Sequence, residues 1–292
     1  MKKILILVTV LILPLILFAC GGSVPMERQL RSSGVLDAEY IETLTYDMYE
    51  GAGEGRKHIG NMIMTFEVVS DTTITVGIEG KSREHQVGSQ PHYYVTMVLT
   101  NIINGDKVLS EVLINTLFLP VMSYKEVNSG EDSYSVLAWY VGRTYNYILT
   151  KGDETPVTRS LNMRNNLTYD NEMILAVLRF VPISAMNASF SFSFRVPSAL
   201  NHNIDSVTVR AQSAGTFTLT DVEGSIPVVH LNIGLNQNIP GEPIRASYAP
   251  LIVKEDDTRY QMVLTNMVQG DEKVGIITYA LKSIERSPVA II

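Results

Sequence analysis

The stretch ASFSFSFRV, residues 188–196, alternates without a break: Phe190, Phe192, Phe194 and Val196 fall on one parity, Ser189, Ser191, Ser193 and Arg195 on the other. Successive side chains of an extended chain point to opposite faces, so the pattern describes a strand with one apolar and one solvated side. The same period recurs along the chain. Leu44, Tyr46 and Met48 alternate with Thr43, Thr45, Asp47 and Tyr49; Met62, Met64, Phe66 and Val68 alternate with Asn61, Thr65 and Glu67; Ile74, Val76 and Ile78 stand against Thr73, Thr75 and Glu79. Antiparallel strands with one face on a core require this pattern. The expected fold is mainly β: a large curved antiparallel sheet, arranged as a half-barrel or as two related β halves.

One segment breaks the period. YDNEMILAVLRF, residues 169–180, sets Met173, Ile174, Val177, Leu178 and Phe180 at helical spacing, with Asp170 as N-cap, Glu172 in the first turn and Pro182 as a stop. It predicts one short covering helix over an open face or edge of the sheet. Core packing is the ordinary role of such a helix; a lid that moves aside for a ligand is the functional one.

MVLTNIINGD, residues 97–106, returns as MVLTNMVQGD, residues 262–271, with seven of ten positions identical. Val95, Met97, Leu99 and Ile103 correspond to Tyr260, Met262, Leu264 and Val268, so both copies are expected to present one apolar face before a Gly-Asp turn. Asn104-Gly105 suits a hairpin because both residues tolerate positive φ. A duplicated β unit and two hairpins sharing common strand residues both account for the match.

Ahead of the strands, Met1-Lys2-Lys3 is a short positive start, and Ile4 to Phe18 is apolar apart from Thr9 and Pro14. The run falls short of the roughly 20 residues that span a bilayer and has the make-up of an export signal. Leu17-Phe18-Ala19-Cys20 resembles the lipobox of bacterial lipoproteins. That resemblance implies that residues 1–19 are a lipoprotein signal peptide and that Cys20, the sole cysteine, is lipidated and becomes the amino terminus. Residues 20–37 then form the lipidated cysteine and a flexible tether, and residues 38–292 an antiparallel β domain, as one unit or as two related halves. Two or more acyl chains on Cys20 anchor a protein stably, each buried methylene contributing about 0.8 kcal/mol. The membrane is thus an expected partner, and the cell envelope the expected location. With Gly21 after the cysteine, that means the outer membrane if the cell has one, and otherwise the outer face of the cytoplasmic membrane. No second cysteine exists for an intrachain disulfide.

Without residues 1–19 the chain keeps 21 of its 23 basic side chains against 30 acidic ones, a net charge of −9. Nucleic acid is not an expected partner, since phosphate binding needs a basic face.

The Leu44-Thr45-Tyr46 strand with Gly51, Gly53, Gly55 and Gly60, then Leu178-Arg179, then Ala214-Gly215-Thr216-Phe217, occur in an order that resembles the exported β-sheet domain-of-unknown-function family 3108. The resemblance spans most of Ala38 to Glu285. The tryptophan usual before the last strands of that family is absent here, with Tyr248 nearest. It implies a fold and supplies no catalytic residue.

The chemical motifs are few. Gly51-Ala52-Gly53-Glu54-Gly55 lies between strand patterns, without the helix start and lysine that a phosphate loop needs. His58, His85, His92, His202 and His230 show no zinc-ligand spacing, although His85 and His92 flank a polar stretch and could meet in space. Glu255-Asp256-Asp257 and Gly130-Glu131-Asp132 lack the alternating carboxylates of a calcium loop. The sequons Asn166-Leu167-Thr168 and Asn187-Ala188-Ser189 read as accidental in a bacterial lipoprotein. No nucleophile elbow is present. No cofactor and no enzyme activity are expected.

Two function classes remain. The first is a non-catalytic binding module for an apolar ligand or lipid, with Met62, Met64, Phe190, Phe192 and Phe194 on the inner face as the ligand-binding residues. The second is a structural or assembly lipoprotein that contacts another envelope protein. A cavity behind the Phe190–Phe194 strand favours the first; a solid core with an exposed apolar patch favours the second.

Overall fold

The computed structural model describes residues 40–51, 53–130, 133–163, 168–180, 191–217, 226–235, 244–252, 260–271 and 275–289. The strands in chain order are β1 (Tyr40–Glu50), β2 (Lys57–Val69), β3 (Thr72–Ile78), β4 (Lys81–Val87), β5 (His92–Asn101), β6 (Lys107–Asn115), β7 (Pro120–Asn128) and β8 (Tyr134–Val141). They continue as β9 (Thr144–Lys151), β10 (Val157–Asn162), β11 (Ser191–Ser198), β12 (Asn203–Phe217), β13 (Ile226–Leu235), β14 (Ile244–Ile252), β15 (Tyr260–Asp271) and β16 (Gly275–Pro288). Fourteen form one sheet in the order β10-β9-β8-β7-β6-β5-β2-β1-β16-β15-β14-β13-β12-β11, antiparallel throughout, while β3 and β4 form a separate hairpin. The first and last long strands, β1 and β16, pair at its centre, Leu44 opposite Ile284.

Alternation sets the faces. Leu44, Tyr46 and Met48 of β1 and Met62, Met64 and Phe66 of β2 are all buried on the concave side. Thr43, Thr45 and Asp47, and Thr65 and Glu67, take the other parity and face outward. On these two strands the apolar side faces in and the polar side out, the reverse of the pattern that lipid-facing barrels show. No helix among the described residues is long and apolar enough to cross a membrane.

The sheet curls into a nearly closed, barrel-like form, and its two edges approach one another. Tyr145 and Tyr147 of β9 pack in one cluster with Met163, Ala199 and Ile204, the last two from the β11–β12 corner. The Tyr147 hydroxyl lies 2.7 Å from His202 Nδ1. The chain itself threads the seam: Thr168 bridges Arg195 of β11, and the Tyr169 amide donates to the Arg195 carbonyl at 2.9 Å.

Two additions cover the wall from opposite sides. The β3–β4 hairpin lies on the outer face of β6–β8, where Val76 and Val87 meet Leu113, Met122, Tyr124 and Leu137. Gly77 N also donates to Glu111 Oε2 at 2.7 Å. The expected helix takes the inner side. It consists of a 3-10 turn, Asn171–Met173, one α-helical turn, α1 (Ile174–Val177), and a second 3-10 turn, Leu178–Phe180. Of the two expected positions it takes a face and not an edge: Met173, Ala176, Leu178 and Phe180 are buried with the inner residues of β1, β2, β5, β6 and β11–β16. A strongly curved sheet concentrates apolar surface on its concave side, so the apolar segment belongs inside.

The two copies of the MVLTN stretch take different endings. In the first, β5 stops at Asn101 and a hairpin follows, with Gly105 N donating to the Asn101 carbonyl and Gly105 alone at positive φ, +79°. Ile103 sits at the exposed tip and not on the apolar face. In the second, Gly270 and Asp271 remain within β15, paired with Ile276 and Gly275. Gly60 and Gly215 have packing reasons. A Cβ on Gly60 would stand 2.0 Å from the Thr100 carbonyl oxygen, and one on Gly215 would stand 2.3 Å from His230 Nε2.

Candidate functional site

The barrel interior is the candidate site, and residues 168–180 occupy it as a plug. At the start of the plug, Asp170 fulfils the expected cap, its Oδ1 accepting from Glu172 N at 3.0 Å. Its other oxygen, Oδ2, accepts from Ser123 Oγ at 2.5 Å and from the Tyr140 hydroxyl at 2.6 Å. Glu172 repeats the arrangement one step further on: Oε2 accepts from Ser110 Oγ at 2.6 Å and Oε1 from Lys125 Nζ at 2.8 Å. Ser110 stands opposite Lys125 across β6 and β7, and Ser123 opposite Ala138 across β7 and β8, so one inward parity delivers all of these donors.

The titration behaviour follows from these neighbours. Burial raises the Asp170 carboxyl, helped by the Glu172 charge and only partly opposed by its hydrogen bonds. Burial also raises Glu172, but the Lys125 ammonium and the surrounding donors outweigh it and hold that carboxyl below its ordinary range. Glu172 in turn raises Lys125. Burial pushes the Tyr140 hydroxyl well up, so it keeps its proton and donates. The hydroxyls here donate to carboxyl oxygens, and the Lys125 amine pairs with Glu172.

At the far end of the plug, Arg179 pairs with Glu42, which also accepts from Arg286 Nη2 at 2.9 Å. Burial raises Glu42, and the two guanidiniums outweigh that and set it below its ordinary range. The Arg179 guanidinium lies 4.1 Å over the centre of the Phe66 ring. Phe180 packs against Tyr93 and Phe118, with ring centroids 5.1 and 4.7 Å away. Phe118 reaches this position from the β6–β7 turn with φ +57°, a left-handed conformation uncommon for a bulky residue.

Of the residues expected to bind a ligand, Met62, Met64 and Phe194 are buried in the shared core, and Phe192 is partly buried against it. Phe192 and Phe194 stack at 5.5 Å. Phe190, and Cys20, where lipidation was expected, lie outside the described residues. Behind β11 a shallow apolar crevice is lined by Tyr169, Ile174, Val177, Leu178, Phe192 and Phe194, with no room for a water-sized sphere. Ligand pockets usually measure about 300–1,000 Å³, so the space where a cavity was expected is filled by the plug. The rings of His85 and His92 do meet, 6.0 Å apart. Among the described residues, no group of three or more His, Cys, Asp or Glu could hold a metal ion.

The sequence reading missed Glu42, Ser110, Ser123, Lys125 and Tyr140. A signal existed for two of them: Glu42 shares parity with Leu44, Tyr46 and Met48, and Ser110 with Val112 and Ile114. A polar group on the apolar parity of a strand needs a partner inside.

No family model matches this chain. No curated protein matches it either, so the likeness to domain-of-unknown-function family 3108 rests on its motifs. Among solved structures, the chain is similar to a β-barrel-like protein of the domain of unknown function DUF1849 from Brucella abortus. The two share 12% identity at a TM-score of 0.42, over 86% of this chain and 99% of that one.

Proposed function

We propose that this protein is a non-catalytic, lipid-anchored envelope protein that binds an apolar ligand or lipid inside its barrel, in the space its own plug fills. The observation that carries the reading is the plug: an apolar stretch of the chain seated in an apolar lumen and fastened at both ends by charged side chains. Its one α-helical turn, Ile174–Val177, is too short to be stable alone, so the segment depends on its contacts with the wall. The lining, with Met48, Met62, Met64 and Met267 among aromatic and aliphatic residues, suits irregular apolar guests because methionine re-packs readily. The signal-like start and Cys20 support export and anchoring. The crevice beside Phe192 marks where a guest would begin to displace the plug.

The test is lipid extraction from the full chain purified from bacterial membranes, compared with Phe192→Asp. Lipid above the detergent background, lost in a variant that keeps its near-ultraviolet circular dichroism, supports the reading. Equal background in both contradicts it. One observation favours the second reading, contact with another envelope protein: Ile102 and Ile103, 58% and 57% exposed, stand side by side at the β5–β6 tip. An envelope cross-link lost in Ile102→Ser/Ile103→Ser, with no lipid recovered, would decide for assembly.

A further inference from the structure

The wall of β6, β7 and β8 presents Ser110, Ser123, Lys125 and Tyr140 to the lumen, and all four donate to carboxylate oxygens of the plug at 2.5–2.8 Å. Two hydroxyls, a phenol and an ammonium converging on two carboxylates make up an anion site, occupied here by the chain itself. Ser110 and Ser123 are buried, while the Lys125 side chain retains 26% of its exposure, so the site lies inside the wall but within reach of solvent. Immediately beyond the carboxylates comes the apolar run from Met173 to Leu178. Read as chemistry, the plug is a negatively charged head followed by a greasy tail.

We propose that the ligand is a single-chain anionic amphiphile, a carboxylate or phosphate monoester head on an acyl chain, and that the plug is its internal mimic. The head replaces the Glu172 carboxylate at Lys125 and Ser110, with Ser123 and Tyr140 as further donors. The tail takes the path of Ile174 to Leu178 past Phe192 and Phe194. This proposal rests on the apolar-ligand reading above and adds the head group to it. Charge-assisted hydrogen bonds are about twice as strong as neutral ones, so the wall discriminates a charged head from an uncharged one on the same tail.

The plug and the ligand compete for Lys125, and this fixes opposite signs for two substitutions. Lys125→Met removes the ammonium from both, and the anionic ligand loses its main contact. Glu172→Gln weakens only the plug, so the ligand gains. A purely structural cluster gives no such opposition, because either change would loosen the fold and move all ligands together.

The experiment is native mass spectrometry of the full chain released from detergent micelles, with hexadecanoate, hexadecyl phosphate and hexadecanol in equimolar competition. The wild type is expected to carry at least tenfold more of the two anions than of the alcohol. Lys125→Met is expected to abolish that preference, with alcohol binding retained or raised as the plug loosens, and Glu172→Gln to raise anion binding at least threefold with the preference for anions kept. If Glu172→Gln fails to fold, Ser110→Ala/Tyr140→Phe serves in its place, with an expected three- to tenfold loss of anion preference. Equal binding of anions and alcohol by the wild type would overturn the head-group site and leave the apolar-ligand reading standing. No binding of any of the three, in wild type and Glu172→Gln alike, would overturn both. Hexadecanoate without hexadecyl phosphate would assign the head as a carboxylate, and the reverse would assign a phosphate.

Discussion

At its start the plug meets the wall through Asp170 and Glu172, set against hydroxyls and an ammonium on β6–β8; at its end it meets the wall through Phe180, packed on Tyr93 and Phe118, and through Arg179 on Glu42. The side chains of Arg179 and Glu42 are 2% and 6% exposed, whereas Lys125 keeps 26% and the neighbouring Asn171 is exposed. Arg286, the other partner of Glu42, keeps 24%, so solvent reaches one cation at each end. The ends differ in packing: only the second adds an aromatic cluster and a buried cation, Arg179.

The largest effect separating the two ends is expected at Glu42. Glu42→Ala strands two guanidiniums, one of them in the core, and should lower the unfolding free energy by about 3–5 kcal/mol. Replacing Glu42, Arg179 and Arg286 together by methionine should restore most of it, as read by urea denaturation. Phe180→Ala comes next, with a loss of about 3 kcal/mol from an emptied aromatic site. That loss should not vary with salt or pH. At the start, Lys125→Met leaves the Glu172 carboxylate without its counter-charge and should cost about 1–2 kcal/mol at neutral pH, shrinking as the acid protonates.

The smallest effect is a difference of slope. Glu172 and Glu42 titrate below their ordinary value of 4.5, so the stability they contribute is complete above that value and is lost as pH falls through their lower folded values. Asp170 titrates above its ordinary value of 3.8, so its contribution has the opposite sign. It is complete below that value and is lost as pH rises through the higher folded one. Asp170→Asn removes the opposing contribution. The variant should therefore lose stability more steeply than the wild type on acidification, a comparison that denaturation curves between pH 7 and 3 would make directly.

The sequence made the strands legible because period two is a local property, and β11 keeps the alternation of Phe192, Phe194 and Val196 against Ser191, Ser193 and Arg195 over the described part of its run. The Asp170 cap was legible for the same reason, since its partner is two residues away. Strand order was not: nothing in Leu44 or Ile284 announces that β1 and β16 pair across the whole chain. The position of the helix was hidden too, because an apolar segment fits either side of a sheet until curvature decides which side is short of contacts. β7 shows a further limit. Met122 and Tyr124 are its buried apolar parity, yet they lie outside under the β3–β4 hairpin, and the lumen receives Ser123 and Lys125 instead. Hydrophobicity alone would have turned that strand over and concealed the donors that hold the plug.

A double-mutant cycle on Glu42→Gln and Arg179→Met tests most directly that residues 168–180 sit inside the sheet. The two residues are 137 positions apart, so only the plugged arrangement couples them. A coupling free energy of about 2–3 kcal/mol in urea denaturation is the predicted result. Additive effects, with coupling near zero, would contradict it and place the segment elsewhere.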